Sequence, residues 1–373
     1  DSPNRQEEMQ FNILATLLTL ALLAHVSLAT WQQPSCRGLR EAAINYKLQT
    51  ITQEGDGALF AVFRRSSNGF VRPGDFDFYT HGKVSHTNSL RYGSITKIFT
   101  GYFGLTKGIG LSEKPSQYGF APSVYPSSNT LQYRHIFSME SGISEYATIE
   151  NLLNDNQDDW RFGGNFTPAL DVELGWKNKP LEFTPGSTYC YSNTNFELVG
   201  ETVRIKTGRT IRQHIATHFG TVAPTLNLDD GEIPAGNWPN ATGYNNWPYP
   251  YSMPGVSGTL RGKPKDLILA YDKVIRDHQT FNIMKTWHNN VPRCSGSGAS
   301  IVAGDSYGYA LQRYDSIFQG PAIGHDGDLI VRSFLGFHPH SDTIFLFHYT
   351  NAMPNDQLIA NANDLITLAL QRD

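Results

Sequence analysis

Gly93-Ser94-Ile95-Thr96-Lys97-Ile98-Phe99-Thr100-Gly101-Tyr102-Phe103 is the stretch on which the reading of this chain turns. From Ile98 onward it reads as a buried apolar helix, with Ser94 and Lys97 three residues apart at its start. Residues at that spacing share a helix face, so the Lys97 ammonium is within reach of the Ser94 hydroxyl. A serine alcohol is a weak nucleophile near neutral pH and needs a neighbour to take its proton. A helix start also presents free N–H groups and positive dipole potential, which suit a developing oxyanion. The plainer alternative is a serine N-cap beside a solvated lysine. No other lysine of the chain has a serine three residues before it.

Outward from this stretch the chain falls into three blocks. Before it, from Gly57 to about Val84, apolar runs such as Ala58-Leu59-Phe60-Ala61-Val62-Phe63 alternate with turn residues and predict antiparallel strands. From Ser94 to about Phe219 the pattern is helical, broken by Pro/Gly/Asn loops. Two helices are predicted near Thr194–Thr207 and Thr210–His218, each closed by a glycine. Residues 237–251 read as a loop carrying Trp238, Tyr244, Trp247, Tyr249 and Tyr251, followed by a helix near Lys265–Asp277. Strand-like runs return at Tyr307–Tyr314, Ile330–Phe337 and Thr343–Tyr349, and a helix over Asn355–Arg372 follows. Strands at both ends around a helical middle of approximately 100–280 imply an α+β fold whose sheet the C-terminal strands complete.

The 373 residues are 39% hydrophobic with a formal charge of −4, enough chain for one large domain or two close-packed subdomains. With no basic run, nucleic acid and anionic membrane surfaces are not expected partners. Upstream, Met9 precedes an apolar stretch from Phe11 to Ala24 and then Ser27-Leu28-Ala29. This reads as a signal peptide cleaved after Ala29, with Asp1 to Glu8 as leader sequence, leaving one domain over 30–373. Secretion to an extracellular or periplasmic space is therefore expected, with no membrane anchor after cleavage. An oxidising route permits a disulfide. Cys36 with Cys294 is the expected pair and Cys190 a buried free thiol, although spacing does not fix the connectivity. Asn165-Phe166-Thr167 and Asn240-Ala241-Thr242 are acceptor sequons for N-glycosylation in a eukaryotic host.

Four ordered blocks carry a resemblance. They are Tyr92 to Thr100, then Leu131-Gln132-Tyr133-Arg134-His135-Ile136-Phe137-Ser138-Met139-Glu140-Ser141-Gly142-Ile143, then Pro185 to Phe196, and Gly324-His325-Asp326-Gly327-Asp328. Together they resemble the superfamily of class C β-lactamases, D-Ala-D-Ala carboxypeptidases and related esterases, over most of the chain from about Gly57. The resemblance implies a β-lactamase/transpeptidase-like fold, an antiparallel sheet flanked by helices with a helical subdomain. It also implies a serine hydrolase whose nucleophile is Ser94, with Lys97 and Tyr191 managing the proton. Tyr191-Ser192-Asn193 matches the family's Tyr-x-Asn element. Tyr244-Asn245-Asn246 and Tyr349-Thr350-Asn351 fit the same triplet, but only the first lies between a Pro-Gly turn and a helix. Tyr191 beside the Lys97 cation is expected to have a lowered pKa and to relay protons as phenolate. Asn193 is expected to donate its amide to the substrate acyl group. Lys206-Thr207-Gly208 and His218-Phe219-Gly220 imitate the family's third element at helix ends. His325-Asp326-Gly327, placed late and expected to open a strand on the cleft edge, fits it better. With His325, Asp326 and Gly327 lining the substrate, the resemblance puts the oxyanion between the N–H groups of Ser94 and Asp328.

Asp326 departs from relatives that bind a free carboxylate with a hydroxyl residue at this place. Negative charge from Asp326 and Asp328 is expected to make β-lactams and D-Ala-D-Ala peptides poor substrates, and to favour neutral esters or amides or substrates with an N-terminal ammonium. The aromatic loop over 238–251 is a candidate lining for an apolar acyl group. Other chemistries find less support. His338-Pro339-His340 reads as a solvated hairpin turn, no cluster has metal-ligand spacing, and no Gly-x-Ser-x-Gly elbow or phosphate-cradling loop is present. No metal or cofactor is expected, and the expected partner is a small-molecule or peptide substrate. Two rival functions share the fold: acyl transfer to another acceptor at the same site, and a non-catalytic binding module.

Overall fold

The computed structural model describes residues 36–66, 68–146, 167–228, 255–288, 291–294, 305–317, 319–329, 331–351 and 353–371. The leader and signal peptide expected over 1–29, the aromatic loop with Tyr244, and the sequon asparagines Asn165 and Asn240 lie outside these residues. The chain divides into two compact units, Ile44–Leu370 and a second formed by Asp1–Ala43 with Gln371–Asp373. In the described part of the second, Arg37 and Glu41 form an ion pair one helical turn apart.

The described elements are, in chain order, α1 (Cys36–Ile51), β1 (Gly57–Arg64), β2 (Phe76–Gly82), β3 (Leu90–Arg91), α2 (Thr96–Thr106), α3 (Tyr133–Phe137) and α4 (Pro168–Trp176). Then come α5 (Asn193–Thr207), α6 (Ile211–Phe219), β4 (Asn227–Leu228), α7 (Gly255–Gly258), β5 (Leu260–Gly262), α8 (Pro264–Arg276) and α9 (His278–Met284). The last are β6 (Ser306–Tyr307), β7 (Gln312–Tyr314), β8 (Ala322–Leu329), β9 (Val331–His338), β10 (Thr343–Tyr349) and α10 (Asn355–Leu370). A seven-stranded antiparallel sheet runs in the order β2-β1-β10-β9-β8-β7-β6. The first and last long strands are therefore neighbours, as the α+β reading requires.

Helices cover both faces of this sheet, which explains why β1 is an unbroken apolar run and not an alternating one. Leu59, Ala61 and Phe63 pack among Ile98, Phe99 and Phe103 of α2. Ala58, Phe60 and Val62 pack instead against Leu358, Ala362, Leu365 and Ile366 of α10 and Ile44 and Leu48 of α1. Each large side chain so buried contributes roughly 1.5–3 kcal/mol. α2 is buried from Thr96 to Gly104, as expected of a helix apolar on every side. A smaller sheet, β3-β5-β4, lies beside the start of α2, and a bridge between Gly93 and Thr259 continues it to the residue before Ser94.

Several local expectations are corrected. The run at Tyr307–Tyr314 is a hairpin of β6 and β7, with Ala310 at a left-handed φ of 66° between them. The His325-Asp326-Gly327 triplet lies in the middle of β8 instead of opening a strand. That strand holds two glycines and two aspartates, so its pairing with β9 outweighs weak intrinsic propensity. α9 follows α8 directly because Asp277 accepts a hydrogen bond from the Thr280 N–H and caps a new helix. His338 is not solvated: it ends β9 fully buried, with Nδ1 2.8 Å from Ser341 Oγ, while His340 is exposed in the turn. Cys190 is not a free thiol but is bonded to Cys294 (Cα–Cα 5.3 Å), which removes Cys294 as a partner for Cys36.

Candidate active site

The four sequence blocks converge on Ser94. Gly93, Ser94 and Ile95 form the turn that enters α2, so Lys97 lies within its first turn, with its side chain wholly buried. Lys97 Nζ is 2.9 Å from Ser94 Oγ, 2.6 Å from Asn193 Oδ1 and 2.9 Å from the Ser257 carbonyl oxygen. Burial lowers its pKa to about 7, against the pull of the Glu145, Glu197 and Asp326 charges.

Asn193 opens α5, which brings the Tyr-x-Asn element to Lys97. Its side-chain amide is already engaged: Oδ1 accepts from Lys97, while Nδ2 and the backbone N–H donate to Glu145 Oε2 at 3.0 and 2.6 Å. Tyr191 is buried with its ring 4.9 Å from Lys97 Nζ. Its hydroxyl faces Ser94 closely enough to feel that hydroxyl, yet makes no hydrogen bond of ordinary geometry among the described residues. The expected phenolate is corrected here. Burial drives the Tyr191 pKa well up, the Asp326, Tyr189 and Glu145 charges add to it, and only Ser94 opposes. The second block supports this arrangement from behind. Met139 accepts the Cys190 N–H through its carbonyl (2.9 Å), and Ser141 Oγ donates to Asn195 Oδ1 (2.6 Å).

The last block approaches from the sheet. β7 pairs only with Ala322, Ile323 and Gly324, so from His325 on β8 has a free edge among the described residues. Gly327 lies on the turn before Ser94: a Cβ there would sit 1.9 Å from the Tyr92 carbonyl oxygen and 3.4 Å from the Ser94 nitrogen. A Cβ on Gly93, itself at φ +54°, would come within 2.9 Å of the Asp328 nitrogen. Only paired glycines allow this approach, which brings the backbone at Gly327 and Asp328 against the turn at Gly93 and Ser94. His325 does not reach toward a substrate. It is buried between Tyr307 Oη and the Gln312 amide (both 3.3 Å from Nε2), its Nδ1 is 2.6 Å from the Asp326 carbonyl oxygen, and burial and Lys97 lower its pKa to about 3.

Asp326 is corrected more sharply. Strand alternation turns it from the face that carries His325 and Gly327. It pairs with Phe334, is 3% exposed and accepts from Tyr314 Oη at 3.1 Å, so its carboxylate is committed to a buried hydrogen bond while its charge still acts on Lys97 and Tyr191. Asp328 bears its charge against Arg332 Nη1 at 2.9 Å. The carboxyl groups that act most strongly on Lys97 are ones the motifs did not mark: Glu145, just past the second block, and Glu197, one residue past the third. Their positions beside the blocks are the only sequence signal. The Ser257 carbonyl had none. Among the decoys, Lys206 lies 3.8 Å from Glu113 at the far end of α5, and Tyr349 donates to Asp56.

Solved structures share this fold. A D-stereospecific amidohydrolase from Streptomyces sp. is 19% identical with a TM-score of 0.67, covering 87% of this chain and 98% of its own. The D-amino acid amidase from Ochrobactrum anthropi SV3 complexed with L-phenylalanine is 16% identical with a TM-score of 0.67, covering 89% and 99%. The octameric penicillin-binding protein homologue from Pyrococcus abyssi is 18% identical with a TM-score of 0.63, covering 89% and 77%. No curated protein matches. The Beta-lactamase family model matches residues 57–371, and the chain accordingly belongs to the Beta-lactamase family and is a serine hydrolase.

Proposed function

We propose that this chain is an exported amidase that cleaves amides or short peptides through an acyl-enzyme on Ser94. The observation that carries it is the threefold setting of Lys97 Nζ. As a neutral amine, Lys97 gives its two N–H bonds to the Asn193 and Ser257 oxygens and turns its lone pair to the Ser94 hydroxyl. Lys97 takes the Ser94 proton as Oγ attacks the carbonyl. The Ser94 and Asp328 N–H groups hold the oxyanion. Tyr191, a phenol, passes its proton to the departing amine and is refilled from Lys97. Water then enters by the same relay in reverse and releases the acid.

The substrate class rests on two supports. Neighbours of the same fold are named as a D-stereospecific amidohydrolase and a D-amino acid amidase. The carboxyl groups around Lys97, Glu145 foremost, make the site hostile to a substrate carboxylate and hospitable to an α-ammonium. Glu145 and Glu197 add to the acidity expected from Asp326, whose charge also acts on Lys97. Export agrees with the Cys190–Cys294 disulfide, which an oxidising compartment preserves.

Intact-mass analysis of the protein released by an expressing cell tests both parts. The wild type is expected to begin at Thr30 and to gain one adduct from a fluorophosphonate. It is expected to turn over D-phenylalanine amide faster than penicillin G, with Ser94→Ala inert to both. Penicillin turnover above that of the amide would reverse the substrate class, and an unmodified Ser94 in folded protein would favour a binding module.

A further inference from the structure

Glu197 has no part in the mechanism above, yet it is wholly buried on α5 one turn after Asn193. Its Oε2 accepts the Val256 N–H at 3.1 Å and its Oε1 the Ser257 N–H at 2.7 Å. The one-turn α7 is thereby gripped at its start, and the Ser257 carbonyl of the same turn accepts from Lys97. Two further features fit α7 to this carboxylate. Gly255 sits at φ +48°, where a Cβ would lie 2.3 Å from Glu197 Oε2, so the chain reaches the carboxylate only as glycine. Thr100 Oγ1 donates to the Val256 carbonyl at 2.6 Å, tying the turn back to α2.

We infer that Glu197 is a positioning residue for the Ser94 reaction: it fixes the Ser257 carbonyl that aims Lys97 at Ser94 and sets a carboxylate beneath the amine. This rests on the assignment of Lys97 as the base. Lys97 is faced by Glu145 from the segment before α4, Glu197 from α5 and Asp326 from β8, with His325 of β8 and Tyr191 alongside. Glu197 is in turn faced by Lys97, by Tyr146 and by Asp171 of α4, whose carboxyl burial holds toward its neutral form. Burial raises the Glu197 pKa to about 7, opposed by hydrogen bonds from Ser257 and the Val256 N–H and by the Lys97 charge.

Glu197→Gln keeps the volume and removes the charge and one acceptor. Measured on the best amide substrate, its acid limb in kcat/KM is expected to move to lower pH by about one unit, because an anion that favoured protonated Lys97 is gone. The plateau kcat is expected to fall roughly 10- to 100-fold as the Ser257 carbonyl loses its anchor, with KM little changed. Glu197→Asp, charged but shorter, is expected to lose kcat with its limb unmoved, and it carries the test if the glutamine variant does not fold. A Gln variant with wild-type limb and plateau overturns the proposal, as does an Asp variant with wild-type kcat. A lowered plateau with an unmoved limb in the Gln variant overturns the charge role. A wild type whose Ser94 is never acylated would sink the functional assignment, and this one with it.

Discussion

At Lys97 two effects oppose each other, and their magnitudes decide the chemistry. Three carboxyl groups favour the ammonium, but complete burial outweighs them and brings the pKa to about 7. Tyr191 meets the same desolvation with the opposite sign, because its charged form is the deprotonated one. In the proposed mechanism the pair divides the work between a neutral amine that accepts and a phenol that donates, where the motifs alone suggested a phenolate. Lys97 works as a base only when unprotonated, so kcat/KM should rise with pH through about 7 in a steady-state pH profile. An acid limb below pH 5 would contradict the assignment of Lys97 as the base.

Among elements, the segment Tyr189–Tyr191 is the one whose anchoring the sequence left open. The Tyr189 N–H donates to the Pro292 carbonyl and the Cys294 N–H to the Tyr189 carbonyl, at 2.8 and 2.9 Å. The disulfide closes this contact directly beside Tyr191. Replacing both cysteines by serine should destabilise the fold by about 2–4 kcal/mol. Thermal unfolding with and without reductant checks this: wild type should drop to the melting temperature of the double variant, which should itself ignore reductant. Helices α2, α5, α6, α8 and α10 were legible as elements because their apolar spacing and caps are local, whereas α1, α7 and α9 were not predicted. Asn193–Thr207 and Ile211–Phe219 depart from their predicted limits by a residue or so. β8 was legible only as a motif, since its glycines and aspartates form a strand only when β9 pairs with them.

For the whole molecule, the sheet buried on both faces takes titratable groups into the core. His348 of β10 is buried with Nδ1 2.8 Å from Ser333 Oγ, and burial lowers its pKa to about 3. The unfolded chain protonates this histidine near pH 6.5 and the folded chain does not until about 3, so its contribution to stability is lost as pH falls between those values. Asp326 and Glu197, raised by burial, act in the reverse direction and mask the trend in the wild type. His348→Gln should therefore gain on wild type by on the order of 2 kcal/mol between pH 7.5 and 5, read as the difference between urea denaturation curves. Equal pH dependence in the two proteins would refute it.

The sequence by itself determined the fold class, the pairing of Ser94 with Lys97 on one helix turn, and the order of the four blocks. Each of these is written in short-range spacing: apolar runs set the elements, and a three-residue step fixes which side chains share a helix face. Only the tertiary structure decided which way Asp326 faces, which cysteine Cys294 joins and which carboxyl groups lie under Lys97. It also decided that burial lowers the Lys97 pKa and raises that of Tyr191. Those depend on strand register and on desolvation by residues more than a hundred positions away, such as Ser257 beside Lys97. Burial and long-range contact are properties of the packed chain, and no local pattern encodes them.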